Sequence, residues 1–149
     1  MAVRWQLVVD CAEPLALSRF WAAALEYEPE DNDALIGRLA DAGAVTEEQY
    51  TVVDGRRAFT ALAAVRHPDD PVQEDTGIGL GRRLLFQRVP EGKTVKNRLH
   101  LDLHIGPERR AETVRRLEAL GATAVRAVEE PGVSLVTMLD PEGNEFDVQ

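Results

Sequence analysis

The chain is poor in cysteine. Cys11 is the only one in 149 residues, so no intramolecular disulfide can form, which suits a reducing cytoplasm. Long apolar runs are missing too. None approaches the ~18 residues of a membrane span, and the early run Leu7–Val9 is cut short by Asp10, so neither a membrane anchor nor a signal peptide is expected. Basic residues are scarce relative to acidic ones. Seventeen Lys and Arg against 26 Asp and Glu give a net charge of −9 and a pI near 4.8. A surface of that sign disfavours a phosphate backbone and leaves cationic small molecules unrepelled. Disorder is not expected, because 44% of residues are hydrophobic and 29% charged. The length fits one domain or two small modules.

What is present falls into a repeated pattern. Arg4–Val9 reads as a strand. Glu13-Pro14 then opens a helix, with proline in the first turn where its missing N–H costs nothing, and Leu17, Phe20, Trp21, Ala24 and Leu25 share one face. The order returns in "KNRLHLDLHI", Lys96–Ile105. There Leu99, Leu101, Leu103 and Ile105 alternate with Arg98, His100, Asp102 and His104, the period of a two-faced strand. Gly106-Pro107 opens a second helix, with Ala111, Val114, Leu117 and Leu120 as its apolar stripe and Gly121 at its C-terminal end. The strands match at an offset of 94 residues and the helix ends at 95, so the sequence predicts a degenerate duplication of one unit.

An antiparallel meander is expected after each helix. In the second half it runs Ala122–Val128, Val133–Leu139 and Glu145–Val148, with "DPEGN" (Asp140–Asn144) as a turn. In the first half it runs Tyr50–Val53, Ala58–Val65 and Arg83–Val89, with Asp54-Gly55 as a hairpin turn. Two insertions stretch that half: a helix within 32–45, with Leu35, Ile36, Leu39 and Ala42 apolar, and an acidic Pro/Gly-rich segment, 67–81. The spacing of Gly77, Gly79 and Gly81 does not make a phosphate loop, and a flexible loop is expected there.

Two βαβββ-type units, "RFW" in the first helix, "RLLFQRVPEGKTVKNRLHLDLH" (Arg83–His104) and "MLDPEGNEFDVQ" (Met138–Gln149) together resemble the vicinal oxygen chelate superfamily, and in it the bacterial glyoxalase-like domain proteins. The resemblance implies an α+β fold over 1–149. Unit one spans about 1–92 with insertions at 32–45 and 67–81, and unit two about 93–149. Their sheets would form a paired, cup-shaped open barrel with helices outside. It also implies a small-molecule ligand or substrate, lyase or isomerase chemistry on a small polar substrate, and a cytoplasmic homodimer. Leu35, Ile36 and Leu39 are the apolar surface expected at the dimer contact. The alternative is a non-catalytic drug-sequestering protein of the bleomycin-resistance type, which the negative charge suits.

In metal-using members four ligands point into the cup. The positions that match them here are Gln6, Gln87, His100 and Asp147, and Asp102 shares their face. Strand parity agrees, since Trp5, Leu7 and Val9 can pack under the first helix and Phe146 and Val148 can pack in the second unit. An imidazole and a carboxylate suit a divalent first-row ion, whereas two amides add no charge. A 2-His-1-carboxylate triad needs a second histidine, and His104 lies ~13 Å along the same strand from His100. His100 is therefore either a ligand or a hydrogen-bonded structural imidazole. Asp102 is either a general base or the partner of Arg98 or Arg4. Lys93, Lys96 and Arg98 form a basic connection between the units, His67 and His104 are expected in solvent, and Cys11 is expected to be packed.

Overall fold

A computed structural model describes residues 1–149 as two compact units, Met1–Glu91 and Gly92–Gln149. In the first, β1 (Leu7–Cys11) leads into α1 (Pro14–Leu25), β2 (Glu28–Pro29), α2 (Asp33–Asp41), β3 (Tyr50–Val53), β4 (Arg56–Phe59), β5 (Leu62–Arg66) and β6 (Arg83–Arg88). In the second, β7 (Leu101–Leu103) leads into α3 (Pro107–Ala119), β8 (Thr123–Glu130), β9 (Val133–Leu139) and β10 (Glu145–Val148). The sheets have matching orders, β1-β6-β5-β2 and β7-β10-β9-β8. In each, the strand before the long helix pairs in parallel with the last strand of its unit. This is the α+β arrangement of two βαβββ units that the duplication predicts.

The core of unit one lies between α1 and its sheet. Leu17, Phe20, Trp21 and Ala24 are buried on the helix, over Val65 of β5 and Leu84 and Phe86 of β6. Phe20 and Trp21 meet edge to face, with centroids 5.4 Å apart. In unit two, Leu101, Phe146 and Met138 stand level across three strands. Phe146, Met138, Leu103 and Val148 are buried, as is Leu117 of α3. The Asp140–Asn144 turn is locked by its aspartate: Asp140 Oδ1 accepts from the backbone N–H groups of Glu142 and Asn144.

Several expectations are corrected. Both unit-opening strands start late, so Trp5 and Leu99 precede the ladders and are 85% and 78% exposed rather than packed. The stretch Ala58–Val65 breaks at Thr60-Ala61. Thr60 N–H turns to the Gln49 carbonyl while Arg88 N–H bonds to that of Ala61. β3 and β4 become a hairpin of their own, and the outer place in the sheet goes to the two-residue β2. The inserted helix stops at Asp41, and its Ile36 is fully buried, which removes that residue from any contact with a second copy. On α3, Thr113 rather than Ala111 joins Leu117 in the core.

The segment 67–81 is tied down at many points. Val72 bridges to Gly79, Asn32 Nδ2 donates to the Thr76 carbonyl, and Arg38 donates to that of Asp75. Asp70 takes two side-chain nitrogens and the backbone N–H of Arg82, and that guanidinium holds its carboxyl far below the usual range. Gly77 has φ +74° and sits so close to Asp31 that a Cβ would lie 1.8 Å from its carbonyl oxygen. Its glycine is thus required by close backbone approach as well as by the left-handed conformation.

Candidate metal-binding site

His100 immediately precedes β7 and lies two residues before Asp102, so strand parity puts both on one face. β10 runs parallel to β7 in a register that sets Asp147 level with Asp102, and Thr137 of β9 level with Asp147. The opposite face of these strands carries half-buried Leu101 and buried Phe146 and Met138. The fold therefore drives the polar residues together because it buries their neighbours.

Each carboxylate has one oxygen occupied by a neutral donor. The Thr137 hydroxyl donates to Asp147 Oδ1 at 2.6 Å, and the Gln149 amide donates to Asp102 Oδ2 at 2.9 Å. The other oxygens turn to His100, whose Nδ1 lies 2.8 Å from Asp102 Oδ1 and 4.0 Å from Asp147 Oδ2. Ligand atoms of the three residues all lie within 4.8 Å of one another. Asp147 is the most enclosed, its side chain 16% exposed, whereas those of Asp102 and His100 reach solvent.

Two like charges level on neighbouring strands repel. A metal ion held between them would relieve that repulsion. The donor set fits a divalent first-row ion, with one imidazole nitrogen and two anionic oxygens. An ion with bonds of about 2.1 Å holds its ligand atoms about 3–4 Å apart, so small side-chain rotations close this cluster on it. Thr137 and Gln149 hold the carboxylates as outer partners do in metal sites. Neither is among the residues that the resemblance points to. Parity through the Asp147 register could have found Thr137, but nothing local marks Gln149.

The other candidate residues lie in unit one and are engaged differently. The Gln6 side-chain oxygen accepts from Arg83, whose remaining nitrogens grip Glu30. Gln87 lies exposed on β6, level with Asp10. The β1–β6 register sets Gln6 beside Arg83, four residues and ~13 Å along the strand from Gln87, so the two amides are not neighbours. Asp102 pairs with neither Arg4 nor Arg98; His100 and Gln149 take that place.

Beside the cluster, Glu145 fastens the connecting segment to β10. It accepts from Lys93 Nζ at 3.1 Å and from the Asn97 backbone N–H at 3.1 Å. Burial pushes its carboxyl up, but its own and the Asn97 backbone N–H groups and Lys93 together outweigh this and hold it at about 2, against an ordinary 4.5. A depressed carboxylate stabilises the fold fully above its unfolded pKa, and that contribution is lost as pH falls towards the folded value. The stability difference between wild type and Glu145→Gln is therefore expected to be full above about pH 4.5 and to close as pH approaches 2. Urea denaturation across that range measures it, and a gap that stays constant with pH would refute the assignment. Asp70 adds acid sensitivity of its own, but it is common to both proteins and cancels in the difference.

Residues 6–149 match the family model described as a glyoxalase-like domain. No curated protein matches the chain. Among solved structures, the fosfomycin resistance protein FosX from Mesorhizobium loti superposes with a TM-score of 0.59 at 9% identity, over 100% of this chain and 91% of that one. A FosX variant from Listeria monocytogenes, complexed with Mn(II) and 1S,2S-dihydroxypropylphosphonic acid, gives 0.59 at 10% identity, over 100% and 90%. A glyoxalase/bleomycin resistance protein/dioxygenase family enzyme from Burkholderia phytofirmans gives 0.58 at 13% identity, over 96% and 94%. At these identities the likeness is one of fold.

Proposed function

The chain belongs to the glyoxalase-like domain family of the vicinal oxygen chelate superfamily, and from that premise we propose that it is a metal-dependent lyase or isomerase acting on a small polar molecule. The observation that carries the reading is the joint placement of His100, Asp102 and Asp147, with both carboxylates held from behind by neutral donors. A bound divalent ion would supply Lewis acidity towards a carbonyl or enediolate oxygen. His100 would contribute the imidazole ligand, and Asp147, the more enclosed acid, and Asp102, the more open to solvent, the two anionic ones. In this reading the protein works in the cytoplasm as a homodimer. No helix is long and apolar enough to cross a membrane.

Calorimetric titration with Mn²⁺, Ni²⁺ and Zn²⁺ tests this. One ion per chain, bound more tightly than about millimolar, is expected, and no such binding refutes it. Parallel titrations of Gln6→Ala and Gln87→Ala read whether the two amides carried over from the resemblance add to affinity. Non-catalytic sequestration of a cationic drug is the second reading. It is favoured by the net charge of −9 and by the engagement of Gln6 with Arg83, which leaves that amide oxygen already bonded.

A further inference from the structure

The two sheets are closed off differently on their outer sides. In unit one the outer strand, β2, has two residues; in unit two it is β8, with eight. β8 pairs only with β9, and all of it but Val128 is exposed. A long open strand presents a row of unpaired N–H and C=O groups to any strand that fits it. A bulge between Ala124 and Arg126 interrupts the β8–β9 ladder at one end, and Pro131-Gly132 turns the chain at the other. Between them lies a regular stretch of five residues, Arg126–Glu130, with Val128 at its centre.

Bulges and charges are the usual means of protecting a strand edge, so their arrangement decides what this edge does. Two copies of β8 meeting antiparallel about a two-fold axis normal to the sheet must place residues of equal parity opposite one another. With the axis at Arg126, arginine faces arginine. At Glu129 or Glu130, glutamate faces glutamate. At Ala127, Arg126 faces Val128 and Glu129 faces Val125, so no charge is matched. Only the axis at Val128 pairs opposite charges: Arg126 meets Glu130 twice, flanking a Val128–Val128 contact. The ion pairs within unit two engage Lys93, His100 and Arg110, leaving Arg126 and Glu130 exposed. On the other face, Glu129 is held by Arg110 and Ser134, and it would face only Ala127.

We propose that β8 is the dimerisation strand, pairing antiparallel with β8 of a second copy in the register centred on Val128, so that two unit-two sheets become one eight-stranded sheet. The charges on this edge then select a partner where they would otherwise repel one.

Light scattering on the full-length protein is expected to give the mass of two 16.5 kDa chains. Arg126→Glu alone and Glu130→Arg alone each turn two attractions into two repulsions and should weaken the dimer by about tenfold or more. The double variant restores the pairs with their signs exchanged and should recover wild-type affinity. Val128→Cys should form a disulfide between copies under mild oxidation, because opposed residues on neighbouring strands lie within bridging distance; the native Cys11 is buried and does not compete. Circular dichroism checks that each variant is folded. A single-chain mass would overturn both the homodimer and this interface. A two-chain mass unchanged by either charge reversal, with no rescue in the double variant, would overturn the interface alone.

Discussion

Replacing His100 by alanine is expected to abolish saturable binding of divalent ions while leaving the fold intact. Its side chain is 42% exposed and its contact with Asp102 is polar, so little packing is lost. It is, however, the only nitrogen ligand in the cluster. Removing one of three ligands should weaken binding by about a hundredfold or more, since even outer partners of such sites cost about 10–100-fold when removed. Thr137→Val, which leaves every ligand in place but frees Asp147 Oδ1, should fall in that smaller range. Thermal denaturation offers a second readout, because an ion that binds only the folded chain raises Tm with concentration. Wild type should show that rise with Mn²⁺, and His100→Ala should not. An equal rise in both proteins would remove His100 from the site. If neither protein responds, His100 is a structural imidazole hydrogen-bonded to Asp102, and His100→Ala should then lower Tm even without metal, because Asp102 loses that partner.

How far the sequence could be read depended on whether a signal was local. In the second unit the last two strands are legible to the residue and the first two are not. Its strands alternate cleanly, its turns carry Asp, Pro and Gly, and nothing interrupts it, so Val133–Leu139 and Glu145–Val148 were placed at their observed bounds. Parity then put Asp147 on the face opposite Phe146 and Val148. The first unit was harder, because its outer strand is only Glu28–Pro29 and has no periodicity to show. The Tyr50–Phe59 hairpin, which does have strand periodicity, pairs with itself and not with the sheet. Alternation runs on through Trp5 and Leu99 while pairing does not, so alternation does not mark the starts of β1 and β7. Of the candidate site, the types of residue were legible but their partners were not. Asp102 was expected beside an arginine because charge suggests charge, yet Gln149, 47 residues away, reaches it once β7 and β10 are aligned. The same limit hid the Glu30–Arg83 pair, which joins residues 53 positions apart.

That pair should be the most costly in unit one to break. The Glu30 side chain is 1% exposed and that of Arg83 11%, and they meet in a two-pronged grip: Nε to Oε1 and Nη2 to Oε2, both at 2.7 Å. Glu30 Oε1 also accepts from the Gly79 backbone N–H at 2.7 Å, and the third nitrogen of Arg83 reaches Gln6. One ion pair thus fastens β2, β6, the residue before β1 and the end of the 67–81 segment. Arg83→Ala would leave a buried carboxylate with a single neutral donor, and uncompensated buried charges of this kind cost about 3–5 kcal/mol. For a chain of this length that corresponds to a fall in Tm of about 10 °C or more. Arg83→Lys should recover only part of it, since an ammonium cannot reproduce the fork. Because Glu30, which holds the Gly79 N–H, would no longer be fixed by Arg83, cleavage by a nonspecific protease should begin within 67–81 in the variant and not in wild type. The decisive comparison is with Glu30→Gln combined with Arg83→Met. If the penalty of Arg83→Ala comes from stranding a buried charge, removing both charges should be less damaging than removing the arginine alone. If the double variant is the less stable of the two, the grip itself, rather than the avoidance of an unpaired charge, is what stabilises this corner of the fold.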